Sequence, residues 1–421
     1  MKQTLWTKNF SLVTIATILG AMGGIAGGFA LSFLVYDETG STLAAAILIA
    51  IQVIPGFLIP LLAAPLMDRL PRKPFLVGGD IVNGVLYGLA GLYLSRNAFS
   101  YTGYLFFSLL LSSLSAFDSL AYNSIYPKLI PLGMEEKGYT VSSMVYPVIM
   151  VIMMPVAAVL MDAIGVANIL LLQAGLSLAA AAIESRIRIV EESRMDGEHF
   201  SFSMWWKDLK EAAAYLKKEK GLSSIFAYMA VTNGVGNGIS PILVAFFRTM
   251  PGFTVAMYSF FSVAEFAGRT IGGALHYRFK IPEKRRFSMA FLVYQTYEAM
   301  DAILLFLPYP LMLVNRAICG FLGINSATMR QAAVQRYLPE TFRARINAFD
   351  TVISSAAYSV LSLAVGALGE VLDLRLCLTI CGLFTSAVCW ATIWRQRAAV
   401  RKIYNRPAEL AEESVTTEIA G

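Results

Sequence analysis

The sequence predicts an all-α integral membrane protein with twelve transmembrane helices as two pseudo-symmetric six-helix bundles. Three observations lead there: a composition too apolar for water, long apolar runs parted by short polar turns, and a repeat between the halves of the chain. Of the 421 residues, 57% are hydrophobic and only 15% are charged. A soluble chain of this length needs far more charged surface. A bilayer-crossing helix needs about 20 apolar residues, and the chain has room for twelve with short loops and one longer linker. The net charge of +6 does not indicate nucleic acid, because the basic residues flank the apolar runs instead of forming one patch.

The first span covers residues 12–36 and follows Lys2 and Lys8. It runs into an acidic turn, so it reads as a retained helix and not as a cleaved leader. Between Gly20 and Gly28 it carries five glycines, which let another helix or a ligand approach the backbone. After the turn DETGS (37–41) come spans at 42–67, 75–95, 101–127, 139–161 and 167–187. The second and third are joined through LLAAPLMDRLPRKPFLVGGD (61–80), where Asp68, Arg69, Arg72 and Lys73 sit beside Pro71 and Pro74. The prolines stop the helix from running through the turn, and the basic residues suit a cytoplasmic junction.

A polar linker follows. Within it MWWKDLKEAAAYLKKEK (204–220) places Trp205, Trp206, Leu209, Ala213 and Leu216 near helical spacing, with lysines between them. This is either a helix lying at the membrane interface or a connecting helix. Six further spans fall at 223–247, 254–276, 286–307, 310–333, 346–368 and 376–394. The chain therefore divides into a bundle at 1–190, a linker with an amphipathic helix at 191–222, a second bundle at 223–396, and a polar, disordered cytoplasmic tail at 397–421.

Orientation follows from the basic residues. With the N-terminus inside, 28 of the 34 Lys and Arg are cytoplasmic; the exceptions are Arg96, Arg248 and Arg375 in outer turns and Arg269, Arg316 and Arg330 within spans. Both termini come out cytoplasmic by the positive-inside rule. The four cysteines, Cys319, Cys377, Cys381 and Cys389, lie inside apolar segments without metal-ligand spacing. They read as small packing residues, and no metal site is expected.

The halves repeat at an offset of roughly 210 residues, a period read as a duplicated unit. Gly24, Ala26 and Gly28 correspond to Gly234, Gly236 and Gly238; KLIPLGMEEKGY (128–139) corresponds to RYLPETFRARIN (336–347); and the basic turn at 68–73 corresponds to HYRFKI (276–281). The turn resembles the signature Gly-x-x-x-Asp-Arg-x-Gly-Arg-Arg of the major facilitator superfamily, with Ala64 and Pro71 in place of its glycines. LPETFRARINAF (338–349) and MPVAAVL (154–160) carry the same resemblance, the latter as a degraded form of the superfamily's antiporter motif. The likeness extends over nearly the whole chain and is nearest to the twelve-helix drug, macrolide and siderophore exporters. It implies the major facilitator fold, in which two six-helix repeats rock about a site near mid-membrane.

Ionisable residues inside membrane spans are costly and are candidates for function. Asp118 is the clearest, with Ser115 and Tyr122 on the same helical face at i−3 and i+4. It can carry a proton or contact a cationic substrate; the plainer reading is a hydrogen-bond acceptor between helices. Asn233, Asn237 and Asn325 are candidate lining residues of the cavity that the resemblance implies, and Arg316 is a candidate for an anionic group. Glu265 and Arg269, four apart, read as a structural or gating pair. Glu298 and Asp301, with Arg316 at comparable depth, read as an interhelical charge cluster. For Asp68, Arg69, Arg72 and Lys73 the resemblance implies gating.

Together these features predict a secondary transporter: proton-coupled efflux of a small lipophilic compound by alternating access. It would be a multidrug-type antiporter, a monomer in the plasma (inner) membrane, with a small-molecule substrate and the bilayer as its partners and no cofactor besides a proton gradient. The alternatives are an uptake permease for a sugar, peptide or organic anion, and a non-transporting receptor on the same fold. No nucleotide-binding loop is present, and two histidines far apart in sequence, His199 and His276, argue against an intramembrane enzyme.

Overall fold

The computed structural model describes residues 4–69, 73–131, 134–188, 202–278, 281–338 and 340–406. Among them every regular element is helical. In order these are α1 (Lys8–Thr39), α2 (Thr42–Arg69), α3 (Lys73–Arg96), α4 (Tyr101–Leu129) and α5 (Glu135–Glu184). After the linker come α6 (Phe202–Lys218), α7 (Lys220–Thr249), α8 (Val255–Arg278), α9 (Arg286–Ile303), α10 (Tyr309–Tyr337), α11 (Glu340–Val371), α12 (Leu374–Cys389) and α13 (Arg397–Tyr404).

Local chemistry sets the ends. The Thr7 side chain accepts from the N–H of Phe10 at the start of α1, and Gly40 closes the helix in a left-handed conformation with its N–H on the Tyr36 carbonyl. Ser100 caps α4 and Asp373 caps α12 in the same manner. These are the side chains whose oxygens best satisfy the free N–H groups of a first helical turn. In α5 the fifth and sixth predicted spans are two arms of one element, broken at Gly165, whose φ of 76° is one that a side-chain-bearing residue rarely adopts.

Eight helical stretches among the described residues are long and apolar enough to cross a membrane. Dividing α5 at Gly165 makes nine, and α2, α8 and α9 are the further three that the twelve-span reading requires. Large apolar side chains on the outside, such as Phe106 at 70% and Val159 at 63% exposure, are natural against lipid and costly in water.

The described chain forms two compact units, residues 1–199 with 243–262 and residues 200–242 with 263–421. The ends of α7 and α8 around their connecting turn thus group with the first unit. There Arg248 donates to both oxygens of Asp37 at 2.6 and 2.7 Å, and Phe29, Phe33 and Phe247 meet the Tyr258 ring.

Within the first unit α1 and α3 pack chiefly on α5, and α2 packs on α4. The α1–α5 contact is close because Gly27 has no side chain: a Cβ there would collide with the Oε1 of Gln173. Ala157 and Ala158, next to Pro155 in the MPVAAVL stretch, are fully buried in the core that includes Ile25, Phe29 and Phe33 of α1.

In the second unit α9 packs on α10 and α12. One end of this unit is a core built from α6, α7, α9, α10 and α13, including Leu216, Tyr228, Tyr294, Val334 and Tyr404. One expectation changes here. The tail after residue 396 begins with a helix, α13, whose Val400, Ile403 and Tyr404 are buried. Its order has visible causes: the Tyr404 and Tyr294 hydroxyls are 2.6 Å apart, and Asn405 accepts from the Phe287 N–H while donating to the Lys284 carbonyl. Residues 407–421 lie outside the described residues. The linker helix α6 turns Ala212 and Leu216 into the same core, leaving Trp206, Lys207 and Lys210 exposed. All four cysteines are free and buried.

Candidate functional site

The glycines of α1 and the small residues of α2, α3 and α4 leave space in the first unit, a cavity of about 700 Å³. Gly20, Gly24 and Gly28 form one wall; α3 contributes Asp80, Asn83 and Tyr87, and α4 contributes Ser115, Asp118 and Asn123. Gln52 of α2 and Gln173 of α5 also line it, with the Gln52 amide donating to Ser108 at 2.6 Å.

Asp118 lies well inside α4, eleven residues before its final Leu129, and its Oδ1 is buried without a hydrogen-bond partner. It faces α3 where Gly79 has no side chain; a Cβ there would lie 3.5 Å from Oδ1. Asp80 follows Gly79 in sequence and lines the same cavity. Glu184, at the end of α5, is 4% exposed, and its Oε2 is also unpartnered. Among the described residues no Lys or Arg pairs with any of the three. No group of three His, Cys, Asp or Glu among them is arranged to hold a metal ion. Unpaired carboxylates in an apolar bundle gain most from a proton or an organic cation.

Ser115 and Asp118 both reach this cavity. Tyr122, expected on the same face, does not line it: its hydroxyl is 3.4 Å from Ser142 on α5 and its ring stacks on Tyr126. Tyr122 lies about one turn beyond Asp118 along α4, where Ser142 and Tyr126 are its neighbours. Asp80 and Glu184 do not stand out in the sequence, because Asp80 reads as the flank of the basic turn and Glu184 as the edge of the linker. Asp80 nonetheless meets the criterion that selects Asp118, an acid inside an apolar span.

The remaining candidates belong to the second unit. Asn237 donates to the Asn233 carbonyl and Asn325 to the Phe321 carbonyl, each along its own helix. Glu265 and Arg269 form an ion pair at 2.6 Å. Arg316, a candidate for anion binding, is instead buried against Asp301 and also donates to Asn315; its charge is met within the protein. Glu298 accepts from the Tyr228 hydroxyl at 3.0 Å and from Thr385. Of the gating candidates, Lys73 donates to the Ser185 carbonyl at 2.7 Å. Arg72 and the side chains of Asp68 and Arg69 lie outside the described residues.

Comparison with known proteins agrees with this architecture. No curated protein sequence matches the chain. Among solved structures the fold is similar to that of a POT family transporter in complex with a thioalcohol-conjugated peptide (TM-score 0.68, 13% identity, covering 93% of this chain and 96% of that one). It is similar also to the nucleoside transporter NupG (TM-score 0.66, 11% identity, 92% and 99% covered). A third is a bacterial homologue of the human lysosomal transporter Spinster (TM-score 0.63, 14% identity, 94% and 92% covered). The sequence model of the Major Facilitator Superfamily matches residues 13–295, so this multi-pass membrane protein belongs to that superfamily, a family of transporters and not of enzymes.

Proposed function

We propose that the protein is a proton-coupled carrier that moves a small, fairly lipophilic molecule outward by alternating access, with Asp118 carrying the proton. The observation that supports this most is the buried, unpartnered Oδ1 of Asp118 at the wall of a cavity. A carboxyl group in that setting gives up or takes a proton according to what else occupies the space. The outward direction rests on the resemblance of the DETGS turn (37–41) to that of superfamily exporters and of the MPVAAVL stretch to the antiporter motif. The charge distribution favours cytoplasmic termini, and the likeness to the major facilitator fold supports a monomer in the plasma (inner) membrane.

The decisive experiment is proton flux in proteoliposomes challenged with lipophilic drugs and siderophores, with wild type beside Asp118→Asn. Substrate-triggered proton movement that the substitution abolishes is the expected result. Substrate movement without proton movement, equal in both proteins, would remove Asp118 from coupling. A second reading, an uptake permease for a polar solute, is favoured by the amide and hydroxyl groups of the cavity wall, Gln52, Asn83, Ser115 and Asn123. The similar structures, a POT family transporter with a peptide conjugate bound and a nucleoside transporter, also favour it. Accumulation in right-side-out but not inverted vesicles would select it.

A further inference from the structure

The acidic cavity has an annex. A second pocket of about 420 Å³ shares Leu31 and Tyr104 with it and lies among α1, α3, α4 and α5 of the same unit. Its lining is of another kind: Leu34, Leu86, Leu89, Phe99 and Phe107 contribute no charged group and no amide. The compartments therefore adjoin, one holding Asp80 and Asp118 and the other hydrocarbon and aromatic rings.

From this juxtaposition we propose that the first unit holds a binding site for an amphiphilic amine, its ammonium at Asp118 and Asp80 and its hydrocarbon tail in the pocket beyond Tyr104. The proposal rests on the carrier reading and names its substrate class. Three features support it. The carboxylates have no cationic partner among the described residues, so an ammonium supplies the missing charge. Gln52 and Asn83 on the cavity wall offer amide oxygens to the N–H or O–H groups of a ligand. Tyr104 and Tyr87 stand on the cavity wall, and aromatic faces attract organic cations. A neutral lipophile would leave the acids unmet, and a short polar amine would leave the apolar pocket empty.

The test is equilibrium binding of tritiated decylamine to the full chain in phosphatidylcholine nanodiscs, with empty nanodiscs subtracted and unlabelled decylamine, decanol and propylamine as competitors. Decylamine is expected to bind saturably, with decanol and propylamine each weaker by at least about tenfold. Asp118→Asn and Asp80→Asn are each expected to weaken decylamine by a similar factor, so loss of one variant to misfolding leaves the other. Ala90→Phe, which narrows the apolar pocket, is expected to abolish the preference for decylamine over propylamine. No saturable binding, equal binding of decanol, or indifference to both carboxylate substitutions would overturn the site. Decylamine binding without proton movement in proteoliposomes would support the site and overturn the carrier reading. Proton movement with another compound and no decylamine binding would do the reverse.

Discussion

Both units of the molecule carry acids inside apolar helices, and they treat them in opposite ways. In the second unit Asp301 is held by Arg316, and Glu298 by Tyr228 and Thr385. The groups are buried, with Arg316 at 8% and Asp301 at 9% exposure, and they tie α9 to α7, α10 and α12. In the first unit Asp80 and Asp118 line a cavity and Glu184 is buried, with no Lys or Arg paired to any of them among the described residues. A carboxylate that already has its partner serves packing; one left without a partner is available to a ligand or a proton. The same residue type in the same apolar setting is therefore structural in one unit and a functional candidate in the other.

The largest expected effect tests the structural side. Arg316→Met leaves Asp301 buried and alone, and unfolding in detergent is expected to show a loss of about 3–5 kcal/mol. Adding Asp301→Leu to that variant is expected to recover most of the loss, since a well-packed apolar pair replaces a buried ion pair with little penalty. A double variant as unstable as the single one would break the comparison. Tyr228→Phe removes one hydrogen bond to Glu298 and is expected to cost about 0.6–1.7 kcal/mol, the range found for such bonds in membranes. Asp37→Asn loosens a half-exposed pair with Arg248 and is expected to cost about 0–1 kcal/mol, less at high salt. Asp118→Asn is expected to change stability least, within about 0.5 kcal/mol or in the stabilising direction, because no partner is lost. A drop as large as that for Arg316→Met would show Asp118 to be structural and would remove the contrast between the units.

Asp118 is legible in the sequence because a charge in a long apolar run is conspicuous whatever the fold. Asp80 is less so, being only seven residues past the basic turn, and its place at the cavity depends on how α3 meets α4 at Gly79. Arg316 shows the reverse. Its position inside a span marks it as a candidate, but whether it meets substrate or Asp301 depends on the rotation of α10 against α9. Tyr122 is placed in a similar way: helical periodicity gives a face, and neighbouring helices decide which part of it borders space. For α13, a short run of Arg, Lys and Ala looks like tail, and its order comes from Val400, Ile403 and Tyr404 finding a core already built by α6, α7 and α9.

By itself the sequence determined the class, the helical spans, their duplication and the positive-inside charge bias, because bilayer thickness and the cost of unpaired backbone in hydrocarbon leave little choice. Only the tertiary structure decided which acids are neutralised and which line a cavity. The pairing of Asp301 with Arg316, the closeness of Gly27 to Gln173 and the joining of an acidic to an apolar pocket at Leu31 and Tyr104 are contacts between segments distant in sequence. Distances of a few ångströms govern their electrostatics and packing, and no spacing along the chain encodes them.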